Sequence, residues 1–321
     1  GVRHMTLRVW PVEGIGEIVP GDDLAAIIVD HLAEPLADGD VVVVTSKVVS
    51  KADGLATPGD RDQLLEAETD RVVAVRGKTR IVRTHSGVIL AAAGIDASNI
   101  EVGTVIPLPR DPDQSARDIR SRLQQLTGLR LGVIITDTVG RAWRVGQTDI
   151  AIGAAGITPL LSFDGVEDSY GNVLAVTAPA VADEIAGAAD LVAGKTSGVP
   201  VVVVRGLPDE WIVDSADGAS SLIRDEADDM FGLGARDAVL KAAGHGDDTR
   251  GFPSPEPDDD LLALAREGVD LTLADAELVG GTIEVRAASS EPEAYIEAGV
   301  LAERLRILAR ALGQDVTITV L

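Results

Sequence analysis

Residues 134–153 read IITDTVGRAWRVGQTDIAIG. An apolar run gives way to a polar stretch holding Asp137, Thr138, Arg141, Arg144 and Asp149, and a second apolar run follows. The hard oxygens of Asp137 and Thr138 suit Mg²⁺ or Mn²⁺. The planar forks of Arg141 and Arg144 suit phosphate or carboxylate oxygens. Together these residue types point to chemistry on metal-bound phosphates. Read alone, they are equally compatible with a polar turn between two strands.

Four further segments share this character of small and charged residues beside an apolar element. Residues 45–51, TSKVVSK, follow a valine run, and Ser46, Lys47 and Lys51 could hold nucleotide phosphates. The Walker spacing is absent, and a solvated strand end capped by lysines is the alternative. Residues 91–99, AAAGIDASN, combine small residues that permit close backbone approach with Asp96, a candidate metal ligand, and Asn99, a candidate nucleotide contact. An Asx turn would look the same. In residues 110–120, RDPDQSARDIR, a capped helix start presents Arg117 and Arg120, as an anion site or as ordinary capping. Residues 193–198, AGKTSG, follow a helix carrying Asp183, Glu184 and Asp190. They form either a nucleotide-wrapping turn or a plain helix C-cap at Gly194. His85 falls in an expected hairpin turn and is read as structural.

These side chains need a frame. Strands are predicted over residues 7–12, 40–46, 131–136, 150–153 and 199–204, with a hairpin over 80–91 turning at Ser86-Gly87. Helices are predicted over 22–36, 61–76, 115–126 and 178–193, and residues 216–243 read as mainly helical. Residues 245–259, GHGDDTRGFPSPEPD, have linker composition. The tail reads helix, strand, strand, a long helix over 292–312, and a last strand. Strands and helices do not alternate cleanly, so the class is α+β rather than doubly wound.

Composition narrows the chemistry. The chain has 321 residues, no cysteine and four histidines, so disulfides and thiolate metal sites are excluded and any metal is expected on oxygen. The net charge of −24 argues against a nucleic-acid partner. It leaves room for a nucleotide, which needs only a local positive cluster. No apolar run approaches the ~20 residues that span a bilayer, so no membrane role is expected. The opening GVRHM is expected to be an expression scar, and with no signal peptide recognised the location is expected to be cytoplasmic.

DGDVVVVTSKVVSK, AAGIDASN, DPDQSARDIR, ITDTVGRAWRVGQTDIAIG, YGN, VADEIAGAADLVAGK and PVVVVRG occur in this order. In these motifs the chain resembles the coenzyme F420-0:γ-glutamyl ligases: the archaeal single-domain enzyme and the ligase half of the two-domain actinobacterial one. The resemblance covers roughly residues 6–243. It implies an intertwined homodimer of the ligase fold. It also implies a GTP- and metal-dependent addition of L-glutamate to F420-0 through an acyl phosphate. Asp96, Asp137 and Thr138 match metal positions, for Mg²⁺ or Mn²⁺. Ile15, Gly16, Glu17, Ile18, Ser46, Lys47, Lys51 and Asn99 match nucleotide positions, as does the turn with Gly194, Lys195, Thr196, Ser197 and Gly198. Lys47, Lys51 and Arg141 are the candidates for offsetting charge on the transferring group, and Arg144 and Arg117 for the acceptor or glutamate carboxylates; Lys47, Arg141 and Arg144 are thus the candidate catalytic residues. A monovalent cation is a further candidate cofactor.

Archaeal relatives can carry an acidic residue where Lys195 stands, and it can help hold a second metal there. A lysine ammonium cannot, which leaves one or two metals open. The expected division is residues 6–244 as the ligase-like domain, 245–259 as linker, and 260–321 as a small α/β module. That module is a reduced or unrelated form of the nitroreductase-like domain of two-domain relatives, too short to build a flavin site. Two other functions stay open: a ligase or kinase acting on another carboxylic acid, and a non-catalytic homologue that binds a deazaflavin or nucleotide.

Overall fold

The computed structural model describes residues 6–96, 103–163, 165, 178–194, 198–214, 217–244, 252 and 260–321. The chain divides into two compact units. One holds residues up to Val72 with Thr79–Ile223, and the other holds Val73–Lys78 with Arg224–Leu321. The first unit runs β1 (Arg8–Pro11), α1 (Leu24–Asp30), β2 (Val41–Thr45), α2 (Ser46–Ala52), β3 (Thr57–Pro58), α3 (Arg61–Glu68) and β4 (Thr69–Arg76, whose end belongs to the second unit). It continues with β5 (Thr79–Thr84), β6 (Ile89–Ala91), β7 (Thr104–Val105), α4 (Pro112–Thr127), β8 (Gly132–Arg141), β9 (Arg144–Ala155), α5 (Val181–Ala193) and β10 (Val201–Arg205). Helices and sheets are mixed, as the α+β reading expects.

The main sheet has the order β1-β10-β2-β8-β9. β2 and β8 are parallel, in register from Val41↔Gly132 to Thr45↔Thr136, and the other neighbours are antiparallel. The valine run of β2 is explained by its two covered faces. Val42 and Val44 pack with Leu24, Ile28, Ile119 and Leu123 on one side, and Val41 and Val43 pack with Val181, Ile185 and Ala189 on the other. A strand buried on both faces loses the apolar–polar alternation of a half-solvated one. Helix α4 starts where the sequence says it should: Asp111 accepts from the Gln114 N–H at 2.9 Å, and Pro112 follows in the first turn. It crosses β9 so closely that a Cβ on Gly153 would lie 2.3 Å from the Pro112 carbonyl oxygen. Asp113, buried in the first turn of α4, accepts from the N–H groups of Ala154, Ala219 and Ser220 and ties three segments together.

Three expectations are corrected. The predicted helix over 61–76 ends at Glu68, and Thr69–Arg76 is a strand. Its sequence TDRVVAVR is rich in β-branched residues, which prefer the pleated backbone. Of the expected helical stretch 216–243, only α6 (Ala235–Ala242) is an α-helix; Ala219–Leu222 and Glu226–Asp228 are 3₁₀ turns. Glycines at 218, 232 and 234 interrupt this stretch, and the Asp113 ties fix its start. The polar loop expected between the apolar runs 134–136 and 150–153 is itself sheet. β8 extends to Arg141 and β9 begins at Arg144, with a tight turn at Ala142 and Trp143, where Trp143 takes φ +62°.

The second unit contains α6, then α7 (Leu261–Arg266), β11 (Ala274–Val279), β12 (Thr282–Ala287), α8 (Pro292–Ala311) and β13 (Thr317–Val320). Its sheet has the order β11-β12-β13, antiparallel then parallel. Helix α8 buries Ala298, Leu301, Ala302, Leu305 and Ala309 in a cluster with Leu261, Ile283 and Val285. α6 packs on α8, which is why this unit starts at Arg224 and not at the linker composition of 245–259. That linker, apart from Phe252, lies outside the described residues. Among the described residues, no helix is long and apolar enough to cross a membrane.

Candidate active site

A cavity of about 440 Å³ opens in the first unit where the parallel pairing of β2 with β8 stops, at Thr45 and Thr136. Strand ends of this kind are where parallel sheets expose loops to ligands. Its lining includes Ile15, Gly16, Glu17 and Ile18, the start of α2, Gly94 and Asp96, and Asp137, Thr138 and Asp149. The last turn of α5 and Gly198 close it.

The chain reverses from β2 directly into α2, so Ser46, Lys47 and Lys51 leave the sheet together. Lys47 and Lys51 are four residues apart and share a helix face. Lys47 Nζ lies 2.5 Å from Asp96 Oδ2. Lys51 is only 8% exposed, and its Nζ lies 2.6 Å from Glu17 Oε1. Ser46 Oγ donates to Asp137 Oδ1 at 3.4 Å. Thr138 Oγ1 donates to Asp149 Oδ1 at 2.6 Å across the β8–β9 pair. Asp96 is held by reciprocal backbone bonds with Ile106, both 3.0 Å. The chain can bring Asp96 in because residue 94 is glycine: with φ +67°, a Cβ there would lie 2.8 Å from Leu108 and 3.0 Å from Asp137 Oδ2.

Burial raises the Asp137 carboxyl to about 7, and the charges of Asp149 and Asp96 push the same way; the Thr138 N–H and the Ser46 hydroxyl oppose them. A hard cation beside these carboxylates would relieve that repulsion. Among the described residues, no three Asp, Glu or His side chains form a cage of their own. The donor set of two carboxylates and a hydroxyl fits Mg²⁺, which commonly completes its shell with water and phosphate oxygens. Lys47 and Lys51 supply positive charge to the same cavity.

The sequence-predicted residues therefore fall into three groups. Ile15, Gly16, Glu17, Ile18, Ser46, Lys47, Lys51, Asp96, Asp137, Thr138, Gly194 and Gly198 all line one cavity. Asn99, Lys195, Thr196 and Ser197 lie outside the described residues. Arg141, Arg144 and Arg117 do not line it. Arg141 and Arg144 sit at the exposed end of the β8–β9 hairpin, where Arg141 Nη2 donates to the Val145 carbonyl at 3.0 Å, and Val145 is 99% exposed. The strands continue past the cavity and carry both arginines beyond it. Arg117 is exposed on α4 and bonded to Gln114. Arg120 is buried in a structural role, donating to the Leu131 carbonyl at 2.7 Å and to Asp214 at 2.6 Å. Asp183 likewise fastens α5 to β9, accepting from the Ala151 N–H. His85 bonds the Ala67 carbonyl, as a structural residue would.

Asp149, Asp190 and residues 106–108 also line the cavity, beyond the site residues expected from the sequence. A signal for Asp149 was present. Folding residues 134–153 as a hairpin about Ala142 and Trp143 places Thr138 opposite Asp149.

Residues 14–206 match the family model described as F420-0:Gamma-glutamyl ligase. The chain is 39% identical to the coenzyme F420:L-glutamate ligase of Methanothermobacter thermautotrophicus over 252 residues, covering 71% of this chain and 99% of that protein. It is 38% identical to the protein of the same name from Methanopyrus kandleri, covering 70% of this chain and 98% of the relative. It is 42% identical to the one from Archaeoglobus fulgidus, covering 63% and 89%.

Proposed function

Because the chain belongs to the F420-0:gamma-glutamyl ligase family, we propose that it is a GTP- and metal-dependent ligase that adds L-glutamate to coenzyme F420-0. The observation that carries this reading is the convergence of Ser46, Lys47, Lys51, Asp96, Asp137 and Thr138 on one cavity where the β2–β8 pairing stops. These residues come from separate parts of the chain and have the types that phosphate and a hard cation require.

Joining a carboxylate to an amine is uphill in water, so the carboxylate must first be activated. An acceptor carboxylate oxygen attacks the γ-phosphorus of GTP, the bond to GDP breaks, and an acyl phosphate forms. The neutral amine of glutamate then attacks the acyl carbon. A C–N bond forms, inorganic phosphate leaves, and the amine's surplus proton passes to solvent. The protein's part is positioning and charge neutralisation. Lys51, desolvated at the cavity wall, offers a fixed charge to phosphate, and Lys47 offers a second next to Asp96. Asp96, Asp137 and Thr138 would hold Mg²⁺ or Mn²⁺, which when bound offsets charge on the phosphate oxygens. Asn99 and the turn with Lys195, Thr196 and Ser197 are further nucleotide contacts in this reading. The protein acts in the cytoplasm as a homodimer, with a monovalent cation as an accessory ion.

Mass spectrometry of products formed from F420-0, L-glutamate, GTP and Mn²⁺ tests this. The expected result is F420-0 enlarged by one or more glutamyl residues, with one GDP and one phosphate released per addition. Unchanged F420-0 with intact GTP, from folded protein, would overturn it.

A further inference from the structure

A threonine hydroxyl has one proton and two lone pairs, and its rotation decides which of them face a ligand. At Thr138 the rotation is set. Its Oγ1 donates to Asp149 Oδ1 over 2.6 Å, a short bond to an anionic acceptor. The two residues are direct partners in the β8–β9 register, so the backbone fixes their pairing. Asp149 lines the same cavity as Asp96, Asp137 and Thr138, and the mechanism above gives it no task.

We propose that Asp149 is a positioning residue for the cation site: by accepting the Thr138 hydrogen bond, it turns the hydroxyl lone pairs toward a divalent ion held by Asp96, Asp137 and Thr138. A hydroxyl bonded to a carboxylate becomes a more electron-rich oxygen and a better ligand for a hard ion. A purely architectural role, in which the bond only pins two strands together, makes a different forecast: loss of Asp149 would lower thermal stability and leave ion affinity alone.

This inference rests on the metal reading of Asp96, Asp137 and Thr138, and the test separates the two. Mn²⁺ affinity is measured on the full chain with saturating GDP, by the electron paramagnetic resonance signal of the free ion, and no turnover is needed. Asp149→Ala should weaken Mn²⁺ binding about tenfold, the scale typical of lost outer partners, while Asp149→Asn, which keeps an acceptor oxygen for Thr138, should stay within about threefold. In a Thr138→Ala background, Asp149→Ala should cause no further loss, because its effect passes through the hydroxyl. Wild-type affinity in Asp149→Ala, or the same loss with and without Thr138, would overturn the inference. If Asp149→Ala is too unstable to titrate, Asp149→Ser is run through the same cycle with the same criteria. Asp137→Asn is the control. If it binds Mn²⁺ like the wild type, the metal reading itself fails. If it loses the ion while Asp149→Ala does not, only the role of Asp149 falls.

Discussion

The root and the tip of the β8–β9 hairpin are built from the same two strands and carry similarly reactive residues, yet they are different chemical environments. At the root, Asp137, Thr138 and Asp149 line a cavity, and burial and neighbouring charges raise the Asp137 carboxyl to about 7. A few residues further on, Arg141, Trp143, Arg144 and Val145 are exposed, Trp143 by 69%. The difference lies in what stands beside each stretch. β2 pairs with β8 only as far as Thr136, and α2, the Gly94–Asp96 segment and the end of α5 close around the next residues. Beyond Thr136, β8 no longer pairs with β2, and the hairpin continues on the pairing of β8 with β9. Residue type gives a side chain its chemistry, but enclosure determines its strength, because a screened surface charge contributes little.

The largest effect is expected of Asp137→Asn. Turnover should fall at least about 100-fold with the fold intact, because a hard anionic ligand is lost from an enclosed site. Near-normal rates at saturating metal would place the chemistry elsewhere. The same variant checks the electrostatics. With a carboxyl raised above its ordinary value, the folded metal-free chain keeps a proton between about pH 4 and about 7 that the unfolded chain releases. The stability this contributes is complete below about pH 4 and is lost as pH rises to about 7. In chelator, therefore, the melting temperature of Asp137→Asn should fall less than that of the wild type between pH 4 and pH 7. Parallel melting curves would mean that Asp137 is not desolvated.

A comparable effect of a different kind is expected in the second unit. Leu301, fully buried in α8, should cost about 2–5 kcal/mol of stability when changed to Ala. GTP affinity should be unchanged, since every residue lining the cavity belongs to the first unit. A matching loss of affinity in protein that remains folded would show that the second unit supports the site.

Smaller still, Lys51→Ala should weaken GTP binding about tenfold by calorimetry, as loss of a desolvated charge contact should. Arg141→Ala and Arg144→Ala should each stay within about twofold, the range of exposed charges. Equal losses at root and tip would erase the distinction. A large loss at the tip alone would mean that the hairpin end reaches a nucleotide site in another subunit.

The sequence was most legible where an apolar strand ends abruptly in polar residues. The valine run of β2 and the IITDT stretch of β8 fixed Ser46, Lys47, Lys51, Asp137 and Thr138 at one sheet end, and the small residues before Asp96 signalled its close approach. It was least legible where tertiary pairing overrides local pattern. Residues 137–149 look like a loop because they are polar, but strand pairing continues through them, and this removes Arg141 and Arg144 from the cavity. In α8 alanines form much of the buried stripe, while the larger Ile296 is 66% exposed. In residues 216–243, ties to Asp113 from a distant helix set the backbone, and no local signal announces them.

In the proposed reading, the cavity at the root of the hairpin holds the nucleotide and its ion. A crystal structure with GDP and Mn²⁺ would show both in place. The expected result is anomalous Mn²⁺ density against Asp96 and Asp137, with GDP phosphate oxygens in contact with Lys51. Nucleotide and metal bound together away from these residues would contradict it.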